Sequence, residues 1–130
     1  MIDNDLWEQM SDFNAAMNRS PKFKSVREKI DLARDNCLGL FMEVSELTDS
    51  FPWKPWKPGL EQLDRENLKR EIVDCFFFLH HIADCFEIGP DELRQKYQSV
   101  MENNIKRYAP ELTPPVNETI ENEILQGEVK

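Results

Sequence analysis

Two pairs of acidic residues with the same spacing lie inside apolar stretches of this sequence. Glu43 and Glu46 lie among leucine, phenylalanine and valine, and Glu71 and Asp74 precede a run of three phenylalanines, from which one cysteine separates them. Residues three apart on a helix share one face, with Cβ atoms roughly 5–6 Å apart. Because burying an ionised carboxylate is costly unless it is paired or bound to a metal, both pairs need positive partners.

These partners are either basic side chains or a divalent cation. Antiparallel helices packed about 8–10 Å apart can direct four carboxylates into one pocket. An all-oxygen set of ligands is what a hard ion such as Mg²⁺ selects. We therefore expect a site for Mg²⁺, with Mn²⁺ as an alternative ion, formed by Glu43, Glu46, Glu71 and Asp74, and Asp49 can add a further oxygen.

A proline-rich segment, residues 51–59, follows the first acidic pair. Its three prolines exclude a helix and predict a stiff loop. The loop combines Trp53 and Trp56 with Lys54 and Lys57. Two interpretations stay open: a hydrophobic plug over the helix ends, or indoles that stack on a base while lysines meet phosphate.

The apolar spacing around these segments predicts an all-α chain. We expect one domain over residues 1–110 and an acidic tail, disordered or laid over a partner subunit, over 111–130. Asp64 is the predicted N-cap of the third helix, and Gly89 and Pro90 predict the end of that helix and the start of the next. The four predicted helices cover residues 5–18, 25–50, about 65 to 86 or 88, and 90–107, and the third should be the most buried.

Composition narrows the class of protein. The formal net charge of −9 argues against a nucleic-acid partner, because there is no basic excess to neutralise phosphates. No signal peptide and no apolar run of roughly 18 residues is visible, so we expect a cytoplasmic protein without a membrane partner. Cys37, Cys75 and Cys85 are predicted to be reduced core thiols, and His80 and His81 core or interface imidazoles rather than metal ligands.

The residues above resemble those of the all-α nucleoside triphosphate pyrophosphatases, the superfamily of MazG proteins, dimeric dUTPases and dCTP pyrophosphatases, over about residues 25–110. The family motif is Glu-x-x-Glu on one helix and Glu-x-x-Asp on the next, matched here by Glu43-Val-Ser-Glu46 and Glu71-Ile-Val-Asp74. A later family pattern, Lys-x-x-x-Asn-x-x-Arg, is matched at Asn104 and Arg107.

The chain departs from the family at two positions. Met42 stands where MazG proteins often carry an additional acid, and Val100 stands at the lysine of the later pattern. Lys96 or Lys106 is then the candidate for that lysine's phosphate contact.

The resemblance implies a MazG-type fold, similar to a four-helix bundle, and magnesium-dependent hydrolysis of a nucleoside triphosphate, dCTP or dUTP, to the monophosphate and pyrophosphate. The four acids would hold the metal and act in catalysis, with Glu46 as the candidate general base. The apolar surface left by one chain predicts a homodimer or a dimer of dimers. The expected substrate-binding residues are Trp53, Lys54, Trp56, Lys57, Asn104, Lys106 and Arg107.

Two alternatives remain. In the first, the protein is a non-catalytic acidic helical module whose carboxylates pair with Lys69, Arg70 and Lys106. In the second, the enzyme acts on phosphoribosyl-ATP, as the related pyrophosphatases of histidine synthesis do.

Overall fold

The computed structural model describes residues 3–57 and 63–113, and the regular secondary structure within these ranges is entirely helical. The all-α prediction is therefore confirmed. Residues 114–130, most of the predicted tail, lie outside the described ranges. The helices are α1 (Asn4–Ala16), α2 (Val26–Asp49), α3 (Arg65–Cys85) and α4 (Pro90–Tyr108), and a short 3₁₀ turn covers Pro110–Leu112.

Side-chain caps fix where the first three helices begin. Asp3 accepts a backbone N–H of α1 at 2.8 Å, and Asp64, as predicted, accepts one of α3 at 3.1 Å. Ser25 and Glu28 form a reciprocal capping box at the start of α2, each side chain accepting the other's backbone N–H at 3.2 Å. Each such cap stabilises its helix by about 1 kcal/mol.

The end of α3 differs in detail from the prediction. The helix ends at Cys85, and the residue with left-handed backbone is Glu87, at φ 56°, rather than Gly89. The Ile88 N–H then donates to the Ala83 carbonyl at 3.0 Å, and the same carbonyl accepts the Phe86 N–H at 3.1 Å, so both bonds close the last turn. Gly89 instead lies at the start of α4, where its N–H donates to Glu92 Oε2 at 3.3 Å and its carbonyl accepts the Leu93 N–H at 3.2 Å.

α3 is the central helix of the first part of the chain, because it contacts both α1 and α2. α2 runs antiparallel to it: Lys29 near the start of α2 lies 3.9 Å from Glu87 beyond the end of α3, whereas Glu43 lies beside Glu71. The antiparallel packing of α2 and α3 thus places the two predicted acidic pairs beside each other along the helix axes.

α2 and α3 approach most closely at Gly39. A Cβ atom placed there would lie 2.9 Å from Cδ1 and Cζ of Phe78 and closer still to its Cε1. Gly39 is one helical turn before Glu43, and Phe78 is one turn after Asp74. The absence of a side chain at residue 39 therefore sets the helix spacing next to the acids.

α1 packs on α3 through a face that differs from the predicted one. Of the predicted stripe Leu6, Met10, Phe13 and Met17, only Met10 is buried. The face against α3 is largely polar: the Ser11 hydroxyl lies 3.2 Å from His80 Nε2, and the Trp7 ring meets the His80 ring edge-on at 4.2 Å. Hydrogen bonds and ring contacts to a buried histidine thus replace the expected apolar contacts.

Both histidines of α3 are buried, as predicted. His80 is 2 % exposed, and His81 Nε2–H donates to the Arg19 carbonyl at 2.9 Å. They hold α1 and the segment that follows it against α3.

The chain divides into two compact units, Met1–Leu93 and Arg94–Lys130. Within the second unit, α4 carries no buried residue. Among the described residues, no helix is long and apolar enough to cross a membrane.

Candidate functional site

Three carboxylates from α2 and α3 converge. Glu43, Glu46 and Glu71 each place one oxygen within 4.8 Å of the oxygens of the other two. Glu71 is only 8 % exposed, Glu43 is half-buried and Glu46 is exposed. The cluster therefore has a closed side on α3 and an open side at Glu46, where a ligand can enter.

The closed side leaves acceptors unsatisfied. Glu43 Oε2 and Glu71 Oε2 are buried and have no hydrogen-bond partner among residues 3–57 and 63–113. Burial raises the pKa of Glu43 above its ordinary value, and the charges of Glu46, Asp74 and Glu71 raise that pKa further. Two buried oxygens without donors, in a donor set made only of oxygen, fit a hard divalent cation.

Basic side chains do not fill this role. Arg70 lies 3.6 Å from Glu71 Oε1, but its side chain is mostly exposed and also contacts Asn67 Oδ1. Lys69 pairs with Glu66 at 2.7 Å, outside the cluster. One peripheral arginine cannot balance the charge of three carboxylates. Lys69 and Arg70 therefore give little support to the alternative in which the carboxylates serve only as salt-bridge partners.

Asp74 and Asp49 stand outside the group of three. Asp74 is half-buried and close enough for its charge to raise the pKa of Glu43, yet its oxygens are not within 4.8 Å of all three glutamates. Asp49 Oδ1 accepts the Trp53 Nε1–H at 3.3 Å. One oxygen of Asp49 is therefore engaged by the loop, and the expectation that Asp49 adds an oxygen to the cluster stays a prediction.

The proline-rich loop places its indoles outward at the end of α2. Trp53 is 45 % exposed and Trp56 69 %, and the two rings meet edge-to-face with centroids 5.7 Å apart. Lys54 Nζ lies 5.4 Å from the centre of the Trp53 ring. Such exposed rings do not form a hydrophobic plug in a single chain, whereas they are available to a planar ligand. Lys57, also exposed, closes a turn by donating its N–H to the Lys54 carbonyl at 3.2 Å.

The remaining predicted binding residues lie on α4. Asn104, Lys106 and Arg107 are exposed in the last turns of that helix, and the Arg107 guanidinium lies 5.6 Å from the centre of the Tyr108 ring. α4 from Arg94 onward belongs to the second unit. Their participation in the site stays a prediction.

Two features of the site were not predicted from the sequence. The first is the Asp49–Trp53 hydrogen bond. The two residues are four apart in the sequence, and this short separation is the signal that could have indicated the contact. The second is Cys75, whose pKa is raised by burial and by the charges of Glu43, Asp74 and Glu71, which places a protonated thiol next to the acids. All three cysteines are free, as predicted, but Cys37 is exposed rather than in the core.

Ser11, His80 and Asp84 form a second group of potentially reactive side chains. The Ser11 hydroxyl lies 3.2 Å from His80 Nε2 and 3.5 Å from Asp84 Oδ1, and His80 Nδ1 is buried without a partner in the described part of the chain. In a catalytic triad the acid would orient the imidazole through Nδ1. Here the acid meets the serine instead, and the histidine is closed to solvent, so the group is structural.

Comparison with known proteins gives one family. The model of a protein family described as dUTPase matches residues 4–128, and that family is one of the all-α NTP pyrophosphatases of the MazG-like superfamily. No curated protein and no solved structure matches the chain.

Proposed function

Since the chain belongs to the dUTPase family, we propose that it hydrolyses a pyrimidine deoxynucleoside triphosphate, dUTP first and dCTP second, to the monophosphate and pyrophosphate. The observation that carries this proposal is the meeting of Glu43, Glu46 and Glu71, two of which leave a buried oxygen without a donor. A triphosphate cannot approach three carboxylates unless positive charge stands between them. The site therefore needs a cation before it can take this substrate.

Glu43, Glu46 and Glu71 would hold Mg²⁺ or Mn²⁺, with Asp74 as a fourth carboxylate one turn along α3 from Glu71. When bound, the ion supplies positive charge against the phosphate oxygens and polarises the phosphoryl group under attack. Glu71 and Glu43 form the rigid side of this set because both are at least half-buried between the helices.

The reaction adds the oxygen of water to the α-phosphorus and breaks the bond to the oxygen that bridges the α- and β-phosphates. Pyrophosphate leaves with that bridging oxygen. Glu46 is the candidate to accept the proton of the water, because it is the exposed member of the cluster and can be reached from solvent. Lys54, Lys57, Lys106 and Arg107 are the candidates to neutralise the leaving pyrophosphate, and Asn104 to bind sugar or phosphate.

The base would be received at the loop that begins after α2. Trp53 and Trp56 present exposed ring surface in the segment that follows Asp49, the last residue of α2. An aromatic face supports stacking of about 1–3 kcal/mol per base. Stacking alone does not separate uracil from cytosine. The preference for dUTP rests on the family, and a substrate panel decides it.

The experiment measures pyrophosphate release from dUTP, dCTP, dTTP, dATP, UTP and phosphoribosyl-ATP, with Mg²⁺ and with chelator. We expect release from dUTP or dCTP that chelation abolishes. Glu71→Gln should reduce it by about 10²-fold or more, while Glu66→Gln, a matched change at an exposed glutamate of the same helix, should leave it unchanged.

Release restricted to phosphoribosyl-ATP would favour the second alternative named above. No release from a folded protein, together with no Mg²⁺-dependent rise in melting temperature, would favour the non-catalytic module.

A further inference from the structure

The Trp53 indole is fixed by three contacts rather than by burial. Its Nε1–H donates to Asp49 Oδ1 at 3.3 Å, Lys54 Nζ lies 5.4 Å from its ring centre, and Trp56 meets it at a 5.7 Å centroid distance and an 83° interplanar angle. Only the first of these contacts comes from outside the loop. Asp49 is the last residue of α2, so the hydrogen bond ties the loop to the helix that carries Glu43 and Glu46.

The backbone around this hydrogen bond is tightly turned. The Trp53 N–H bonds the Phe51 carbonyl at 2.9 Å, and the Lys57 N–H bonds the Lys54 carbonyl at 3.2 Å, which closes a turn around Pro55 and Trp56. Pro52 and Pro55 restrict the backbone on either side of Trp53. These bonds and prolines restrict the backbone of residues 51–57, so one side-chain bond to α2 can set the direction of this segment.

From this geometry we infer that Asp49 is a positioning residue for nucleotide binding. Its carboxylate orients the Trp53 indole and so holds the loop in a fixed orientation relative to the carboxylate cluster. The inference rests on the proposed function. Asp49 lies three residues, or about 4.5 Å of helix rise, beyond Glu46. A base stacked on the loop and a triphosphate at the cluster are then held by two parts of one helix.

Asp49→Ala tests this inference. It removes the acceptor, so the loop loses its fixed direction and the Michaelis constant for the accepted triphosphate should rise by about 3- to 10-fold, the factor that one ordinary hydrogen bond represents. The value of kcat should change less than twofold, since the carboxylate cluster is untouched. Asp49→Asn keeps an acceptor oxygen and should restore most of the affinity.

Asp35→Ala is the matched control, because Asp35 is also an exposed aspartate of α2 but pairs with Arg34. It should leave both kinetic constants unchanged. A second readout needs no turnover: the indole N–H resonances of Trp7, Trp53 and Trp56 in ¹⁵N-labelled protein. The Trp53 resonance should shift in Asp49→Ala and not in Asp35→Ala.

Three results would overturn the inference. A large loss of kcat in Asp49→Ala, together with weaker Mg²⁺ binding, would make Asp49 a metal ligand. An unchanged Michaelis constant with a shifted Trp53 resonance would mean that the bond exists but does not position the loop for the nucleotide. A wild-type protein that hydrolyses no triphosphate, with the resonance shift intact, would remove the proposed function and the role of Asp49 in it, leaving a loop contact only.

Discussion

Burial of the Glu43 carboxylate is energetically unfavourable as long as no cation is bound beside it. Its Oε2 is buried without a donor among the described residues, and burial, together with three neighbouring carboxylates, raises its pKa. Acidic groups held in this way are typical of active sites, where stability is given up for chemistry. Removing the charge should change stability and activity in opposite directions.

Glu43→Gln should stabilise the protein in chelator at neutral pH, by about 0.5–2 kcal/mol. The amide removes one like charge and can donate a hydrogen bond toward Glu71, while we expect the same change to abolish the proposed Mg²⁺-dependent hydrolysis. Urea unfolding with and without Mg²⁺ checks both statements: wild type should gain stability from Mg²⁺, and the variant should gain little. A variant less stable than wild type in chelator would contradict the prediction.

His80 predicts how stability depends on pH. Burial lowers its pKa below 6.5, and the nearby charge of His81 lowers it further, while Asp84 and the Trp7 carbonyl oppose the shift. The folded protein therefore resists protonation that the unfolded chain accepts. The stabilising contribution is present above the unfolded pKa of about 6.5 and is lost as pH falls below it toward the lowered value.

The His80 contribution to the free energy of unfolding should consequently fall between pH 7.5 and 5.5, by at most about 1.4 kcal/mol per pH unit, and lower the melting temperature with it. His80→Gln keeps a polar contact for Ser11 but does not titrate, so its melting temperature should fall less over the same range. Equal slopes for the two proteins would show that His80 is not the group responsible.

The sequence was sufficient to predict that four acids form two sets, because a spacing of three residues on a helix is a local property. It was not sufficient to predict their final arrangement. Whether Asp74 joins the three glutamates depends on the rotation of α3 about its own axis, which packing determines. The partner of Asp49 depends on where a proline-rich loop turns back, and no periodic pattern encodes that direction.

At the scale of elements, the acid cluster depends on how closely α2 and α3 approach. Gly39 costs α2 up to about 1 kcal/mol of helix propensity relative to alanine. It lies where a Cβ would meet the Phe78 ring. Close packing therefore outweighs local helix preference at this position.

Gly39→Ala should destabilise the protein by about 1–3 kcal/mol, since overpacking exceeds the gain in helix propensity. It should also weaken Mg²⁺ binding, because the helices separate one turn from Glu43. Combining it with Phe78→Leu, which removes the atoms in conflict, should recover part of the stability in a double-mutant cycle. A gain in stability from Gly39→Ala alone would show that the ring moves aside without cost.

Helix positions were well predicted because caps and prolines act locally. Asp64 and Pro90 mark the starts of α3 and α4 as expected. The buried face of α1 was predicted wrongly, because its apolar stripe is a weaker determinant than the contacts that Trp7 and Ser11 make with His80. Those contacts join residues far apart in the chain, which periodicity within one helix cannot reveal.

At the scale of the whole molecule, one chain exposes many large apolar side chains on α2 and α3. The side of α2 turned away from α3 carries Leu38, Phe41 and Met42, of which Phe41 is 73 % exposed, and Val73 and Phe77 of α3 are also exposed. Several large apolar side chains on neighbouring turns are more than scattered surface residues. We propose that a second copy of the chain covers them, as a homodimer or a dimer of dimers.

Phe41→Glu should shift the protein toward monomer at micromolar concentration, because a charge would enter the buried face. Sedimentation velocity checks this against Phe23→Glu, a matched change at a fully exposed phenylalanine in the turn before α2, which should not alter the assembly. A wild-type protein that sediments as a monomer would count against the proposed dimer.

The contact between Gly39 and Phe78 also limits how this sequence can vary over time. A chain that gains a Cβ at residue 39 keeps its helix spacing only if residue 78 becomes smaller, so the two positions should change together in related sequences. Each of these residues is one turn from an acid, and neither carries a chemical group of its own. We therefore expect an inherited change at either position to alter the carboxylate cluster through the spacing of α2 and α3, without replacing any of the acids.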